Sequence, residues 1–547
     1  MVSVAGDRRS QILCAACGLG VFGIAILYMA QWLQMPLYSD EVALRLWKAR
    51  FLADGSIEYS ILPQCPSNVR DIPTILRPVA YLFSAFDFAY GWSFIREIPL
   101  FGVLLALGAY LLLLFERRAS AAMLVTAACF VGVAGSGLVL FRFEIPLIFY
   151  GAACAIGYLL VRRDMVGPVT VCVYLVLSTL LALFGFFIHL QSLILAPLGM
   201  LLAAGFMIRH RSRAVRMLAG LSVLLIAIGA LAAVSAAPTV KCTESPVIER
   251  SFDEMTLGGL AKHKGMSAVG EYLGSKLDLY TDQFLFKRQY GHNYLPGITS
   301  GGRSAYSRLN TAISVAVLLN LLIACGVLFY SGIGTARLII LNKHSLRENL
   351  ILAATTPYIY LFLATAGHLA LFIVDVPTNF YRASYINFSL VIINALALSG
   401  LKGRAQSVVW PIAVFGIVVS IFSATVASDE MKSKFLAGWS GTGVSLDTNW
   451  SAVRLDVAKL AGKCGIKTND QGIIIDDVTF DALKQHPHLS PFTYIGLGYN
   501  PDEPGGKKPP EFIRSVGAKY LLARCAFFPF YKVVPDGRSD ELCCSGL

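Results

Sequence analysis

The chain has 547 residues, 56% of them hydrophobic and only 15% charged, and its mean hydropathy is +0.63. Those values exclude a soluble globular enzyme and define a polytopic membrane protein. The formal charge of +12 does not call for nucleic acid, because the basic clusters lie between hydrophobic runs: Arg8-Arg9, Arg117-Arg118, Arg162-Arg163, 209–216, 337–347 and 402–404. That distribution marks inner loops under the positive-inside rule.

In chain order, about eleven runs are long enough to span a bilayer: 12–33, 98–115, 119–141, 145–161, 168–188, 192–208, 217–236, 309–331, 350–374, 386–401 and 408–427. The first follows Asp7-Arg8-Arg9 and lacks a small-x-small cleavage site, so it is expected to stay as an uncleaved span. Every predicted inner segment carries Lys or Arg. An odd span count then places the amino terminus in the cytoplasm and the carboxy-terminal region outside, in a bacterial inner membrane with a periplasmic tail. The expected fold is an α-helical transmembrane domain over 1–427 and a small α/β extracytoplasmic domain over 428–547.

Three outer segments are long. The first, 35–97, opens on the adjacent carboxylates Asp40 and Glu41 and holds two predicted surface-lying helices, 42–51 and 75–90, the second carrying Arg77. The second, 237–308, is polar and ends in a Gly- and Tyr-rich stretch, with Lys287, Arg288 and His292, that reads as a mobile binding loop. The third is the tail. There 453–464 reads as helix, 472–477 and 518–523 as strand, 478–485 as helix and 501–510 as an exposed loop. The sequence contains no internal repeat and no P-loop.

The 12 cysteines divide by position. Cys14, Cys17, Cys129, Cys154, Cys172 and Cys325 fall in spans, as small hydrophobes. Cys65, Cys242, Cys464, Cys525, Cys543 and Cys544 fall outside, where an oxidising compartment permits disulfides. At least one bridge is expected among the last four, with the pairing unreadable.

Several constellations carry chemistry, each with a plainer reading beside it. Asp40 is either a helix cap or a general base facing a cavity at the membrane surface. Glu41 either pairs with Arg45 at i+4 or positions a ligand or cation. Arg142 and Glu144, in the short turn between the third and fourth spans, form an interfacial ion pair or contact a charged head group. His189 and Gln191 occupy the matching turn between the fifth and sixth spans, as hydrogen-bonded structural residues or as ligands. Arg382 and Tyr385, near the tenth span, are aromatic-belt residues with a snorkelling arginine, or a phosphate site suited to the planar guanidinium fork. Lys287, Arg288 and His292 are solvated or reach a phosphate. On the predicted topology all of these gather at one membrane surface.

The pattern resembles the GT-C superfamily of polyprenyl-phosphate-dependent glycosyltransferases, which includes the protein O-mannosyltransferases and the lipid A aminoarabinose transferases. The shared points are the acidic pair Asp40-Glu41 after the first span, an outer loop with two interfacial helices, a long loop after the seventh span and a terminal extracytoplasmic domain. The resemblance implies an inverting transfer from a polyprenyl-phosphate-linked sugar to a glycan, lipid or protein acceptor. Asp40 is then the catalytic carboxylate with Glu41 beside it. Arg77, Arg142, Glu144, His189, Gln191, Lys287, Arg288, His292, Arg382 and Tyr385 are then substrate-binding candidates. No Trp-Trp-Asp-Tyr-Gly motif is present, unlike an oligosaccharyltransferase. No cofactor is called for, and the lack of an Asp-x-Asp arrangement beside the pair leaves a divalent metal open. Rival readings are an O-antigen polymerase or ligase, a lipid-linked glycan transporter, and a non-catalytic envelope scaffold. A transporter would place ionisable groups at mid-bilayer in repeated halves, whereas here they gather at one surface.

Overall fold

The computed structural model describes, with short gaps, residues 8–33, 56–58, 69–81, 103–128, 145–162, 166–235, 250–274, 325–340, 348, 356–374, 392–399, 410–418, 450–475, 479, 490–493 and 518–547. They are predominantly helical. The chain runs α1 (Arg8–Leu33), β1 (Ser56–Glu58), β2 (Val69–Asp71), α2 (Val103–Phe115), α3 (Ala119–Ala128), α4 (Ile145–Arg162), α5 (Pro168–Ile188), α6 (Ala196–Arg209), α7 (Arg213–Ser235), α8 (Leu257–Gly274), α9 (Pro357–Val374) and α10 (Trp450–Lys463). Strands β3 (Gln471–Ile475), β4 (Ser490–Thr493), β5 (Tyr520–Arg524), β6 (Gly537–Ser539) and β7 (Leu542–Gly546) follow.

Among the described residues, three helices are long and apolar enough to cross a membrane: Pro168–Ile188, Leu190–Arg209 and Arg213–Ser235. The 21 residues of α5 rise about 31 Å at 1.5 Å per residue, which matches a hydrocarbon core. Its start is set chemically. Gly167 is extended and Pro168 sits in the first turn, where its missing N–H costs nothing. Helix α7 shows how the sequence sorts its faces. Met217, Leu221, Leu224, Ile228 and Leu231 are exposed along one stripe, while Val215, Ala219, Ser222, Ile226, Gly229 and Ala233 are buried. Large apolar residues therefore face outward and mostly small ones inward. That arrangement suits lipid outside and close helix contact inside, because apolar tails give no hydrophobic drive between helices.

Helices α4, α5, α6 and α7 pack against one another as the central bundle, and α1 packs on α3. The largest fully buried side chains are tyrosines: Tyr110, Tyr150, Tyr158 and Tyr360. Each ring fills volume and brings a hydroxyl that needs a partner. Tyr110 of α2 donates to the Ala15 carbonyl at 3.3 Å and meets Phe22 edge-on at 5.3 Å, which ties α2 to α1. Tyr158 of α4 meets Tyr360 of α9 edge-on at 4.6 Å.

The expected sixth span, 192–208, is not a uniform α-helix. It opens as a 3₁₀ turn, Leu190–Leu195, and becomes α-helical at Ala196, with Pro197 in the first turn. Proline tolerates that position but cannot continue a preceding α-helix, so the tighter turn joins it to α5. In the first outer segment the described part of the second predicted surface helix begins as a 3₁₀ turn, Thr74–Leu76, with Arg77 helical after it. An antiparallel β1–β2 pair in the same segment, with Ser56 opposite Asp71, has no counterpart among the expected elements.

The tail forms a five-stranded sheet of order β4-β3-β5-β7-β6. Strands β4 and β5 flank β3 in parallel, and β7 is antiparallel to both β5 and β6. The expected strands at 472–477 and 518–523 are there as β3 and β5, with 476–477 outside the described residues, and the expected helix at 453–464 is α10. Helix α10 packs on β6 and β7. Two disulfides close the region, Cys464–Cys544 and Cys525–Cys543. Neighbouring residues of a strand face opposite sides of the sheet. Cys544 is thus turned to α10, while Cys543 lies on the face of its register partner Ala523 and of Cys525, two residues further along. Adjacent cysteines take different partners for that reason alone.

Candidate active site

The four-helix bundle has two chemically different ends. At one end α4 finishes in Arg162, α6 finishes in Arg209 and α7 begins with Arg213 and Arg216. The two C-terminal arginines are favourably placed against the helix dipoles. Arg209 donates from Nη1 to the Val161 carbonyl at 2.6 Å, and His210 Nε2 lies 3.4 Å from the Val166 carbonyl. The backbone N–H of Ser212 donates to His210 Nδ1 at 3.1 Å. Polar groups here stitch loops to helix ends.

At the other end α5 stops at Ile188, and His189 adopts an extended conformation at φ −147° and ψ 121°. The ring caps the following 3₁₀ turn, with Nδ1 accepting from the Gln191 N–H at 3.4 Å. The role assigned to Nδ1 makes the neutral ring the Nε2–H tautomer. The His189 carbonyl accepts from Ser192 twice, from its N–H at 3.0 Å and its hydroxyl at 2.7 Å, and Ser192 is fully buried. The turn packs against α4, α5, α6, α7 and α9 together, so it is a junction rather than a surface loop. Gln191 is half-buried within it.

Arg77 reaches the bundle from the first outer segment. Ile72 and Leu76 are buried at 1% exposure each, and their 3₁₀ turn packs on α5, the helix that ends at His189. Arg77 is half-buried, and its Nε has no hydrogen-bond partner among the described residues. Burying that donor without a partner costs free energy. A guanidinium in this state is suited to an anionic ligand. The structure thus brings Arg77, His189 and Gln191 onto α5 and its cap. Asp40, Glu41, Arg142, Glu144, Lys287, Arg288, His292, Arg382 and Tyr385 lie outside the described residues, as do all of 287–303, 478–485 apart from Thr479, and all of 501–510.

One polar cluster has no counterpart among the expected sites. Asp253, ahead of α8, is 7% exposed and accepts from His263 Nε2 at 2.7 Å and Lys262 Nζ at 3.0 Å. Its carbonyl accepts from the N–H and hydroxyl of Thr256, whose Oγ1 in turn caps the Gly259 N–H at 2.9 Å. A Cβ at Gly259 would run into the Asp253 carbonyl, so this approach requires glycine. Burial alone would raise the Asp253 carboxyl, but Lys262 and His263 outweigh it and hold the group below the usual carboxylate range. Glu254 is lowered in the same way by Lys264 and Arg250, against its own burial. A carboxylate with basic residues nine and ten positions on was the available signal, but that spacing exceeds one helix face and only the folded turn closes it. Among the described residues, no group of three His, Cys, Asp or Glu side chains comes together as a metal site.

The described residues define a helical membrane protein whose arginines and histidines lie at the two ends of its central bundle. No family model and no curated protein matches the chain. Two solved structures are similar to it. One is the Archaeoglobus fulgidus oligosaccharyltransferase tethered to an acceptor peptide containing the NVT sequon, at TM-score 0.42 and 14% identity, covering 93% of this chain and 69% of that one. The other is ArnT from Cupriavidus metallidurans bound to undecaprenyl phosphate, at TM-score 0.39 and 12% identity, covering 99% and 98%. At these scores the likeness stands beside the sequence reading and assigns no residue.

Proposed function

We propose that this chain is an integral membrane glycosyltransferase that moves a sugar from a polyprenyl-phosphate donor to an envelope acceptor at the outer face of a bacterial inner membrane. The observation that carries the reading is the position of Asp40 and Glu41, a short step beyond Leu33, the last residue of α1. Carboxylates beside a membrane exit are costly to place and mark a task. There a membrane-anchored donor meets a polar acceptor. The two disulfides of the tail support an oxidising compartment for that region. The arginine-rich end of the bundle supports a cytoplasmic side opposite it.

In the proposed reaction the acceptor hydroxyl oxygen attacks the anomeric carbon as Asp40 takes its proton. The bond from that carbon to the phosphate oxygen breaks, and the electron pair leaves with the polyprenyl phosphate. One displacement inverts the anomeric centre. Glu41 positions a ligand or cation. Arg77 acts with Arg142, Lys287, Arg288 and Arg382 as the pool of cations for the charge growing on the phosphate. His292 and Tyr385 stand beside these cations at the phosphate, and Glu144, His189 and Gln191 contact the substrate. For His189 such a role falls to Nε2, because Nδ1 holds the cap. The test is turnover of a radiolabelled polyprenyl-phosphate sugar by the purified protein. Label released as free polyprenyl phosphate with the sugar on an acceptor is expected. Donor binding without transfer, across a panel of envelope acceptors, counts for a transporter or scaffold instead.

A further inference from the structure

Midway along the bundle, where α4, α5, α6 and α7 meet, lies a cavity of about 10 Å³ lined by Tyr150, Tyr174, Ser178, Thr179 and Ser222 among others. Its walls are unusually rich in hydroxyls for the interior of a membrane bundle. A serine or threonine inside such a helix ordinarily donates to a carbonyl one turn back. Ser178 does so to Leu175 at 3.3 Å and Ser222 to Leu218 at 2.9 Å. Tyr150 donates across to the Leu195 carbonyl, the last residue of the 3₁₀ turn, at 3.4 Å. Thr179 is the exception. It is 5% exposed, and its Oγ1 has no hydrogen-bond partner among the described residues.

A hydrogen count decides what fits. Ser222 has committed its one hydrogen to a carbonyl and toward the cavity only accepts, while the oxygens of Ser178, shared with Tyr174, and of Tyr150, shared with Cys154, are further acceptors there. Thr179 still needs an acceptor. A single water satisfies both demands, taking the Thr179 hydrogen on its oxygen and offering its own two to the neighbouring hydroxyl oxygens. A site that holds one water needs about 10–15 Å³ and two to four polar partners, and this cavity meets both conditions. An apolar ligand would leave Thr179 unsatisfied, and any larger polar one exceeds the space. Gly199 shapes the same wall, since a Cβ there would meet the Tyr150 hydroxyl.

We propose that this cavity is a binding site for one ordered water, held by Thr179 and the hydroxyls of Tyr150, Ser178 and Ser222. The water joins α4, α5 and α7 and, through Tyr150, the turn that carries His189 and Gln191. The proposal does not depend on the glycosyltransferase reading.

Thr179→Val tests it by sign, because valine copies the shape of threonine without the hydroxyl. With a bound water, the full-length variant in detergent or nanodiscs melts lower than the parent by about 2 °C or more. An unchanged or raised melting temperature overturns the proposal, since removing a dry, unpartnered hydroxyl is neutral or stabilising. A map of the unaltered protein, at a resolution where other waters are visible, gives the second reading and stands if the variant does not fold. Density within hydrogen-bond distance of Thr179 Oγ1 supports the site, and a bare cavity overturns it.

Discussion

The two ends of the bundle use polar groups differently. At the arginine end, Arg209 and His210 reach backbone carbonyls of a neighbouring loop, and their work is complete once the loops are tied. At the His189 end, a histidine caps a short turn at a junction of five helices. A separate turn that packs on α5 leads into Arg77, whose buried Nε has no partner among the described residues. Polar groups satisfied by the chain itself serve structure. Polar groups held in place but left unsatisfied serve a ligand. That contrast is why the proposed substrate site is placed at the second end.

The largest expected effect comes from the acidic pair beyond α1. Asp40→Asn keeps size and capping ability, so the protein should fold and bind donor while turnover falls by roughly two to four orders of magnitude. Glu41→Gln should cost far less. Near-normal transfer by a folded, donor-bound Asp40→Asn protein would make Asp40 a cap and leave Glu144 or His189 as the base.

Next in size are the disulfides, which sharpen the comparison by showing which compartment the tail sees. Mass spectrometry of protein isolated without reductant should find Cys464 bridged to Cys544 and Cys525 to Cys543. The sequence separations are 80 and 18 residues. Loss of the first bridge should therefore destabilise the sheet by about 4 kcal/mol and loss of the second by about 3 kcal/mol, as closure of a longer loop removes more unfolded-state entropy. Free thiols at all four positions would place the tail in a reducing compartment and undo the proposed orientation.

Paired substitutions then set one end of the bundle against the other. Arg209→Met should lower stability by about 1.5–3 kcal/mol through the lost charged donor, with transfer by the folded fraction unchanged. His189→Ala should lower stability by about 1 kcal/mol through the lost cap. His189→Asn should restore the cap yet leave transfer impaired. Full transfer by His189→Asn reduces His189 to a structural residue.

The smallest effect concerns Asp253. Its folded carboxyl sits below the ordinary value, so its stabilisation is complete above about pH 4 and fades as pH falls through the lowered folded value. Amide exchange at the start of α8, corrected for intrinsic rates, should lose protection on acidification below about pH 4. The Asp253→Asn protein should show weaker protection at neutral pH and little of that pH dependence. Equal profiles for the two proteins would remove Asp253 from the clamp.

Membrane class, the α5 span at 168–188 and the helix and strands β3 and β5 of the tail followed from sequence alone, because each depends on local composition and period. Twenty apolar residues span a bilayer whatever their neighbours, and Ile473-Ile474-Ile475 favours a strand wherever the chain lies. That some of Cys464, Cys525, Cys543 and Cys544 would bridge was also readable, since it depends only on compartment. Their pairing was not, because it turns on which face of β7 each sulfur takes and on the register of β5 beside it. The β1–β2 pair, the β6–β7 hairpin, the clamp on Asp253 and the hydroxyls around Thr179 share that property. Each joins residues whose proximity is created by packing across helices, strands or turns, and no pattern along the chain encodes that distance.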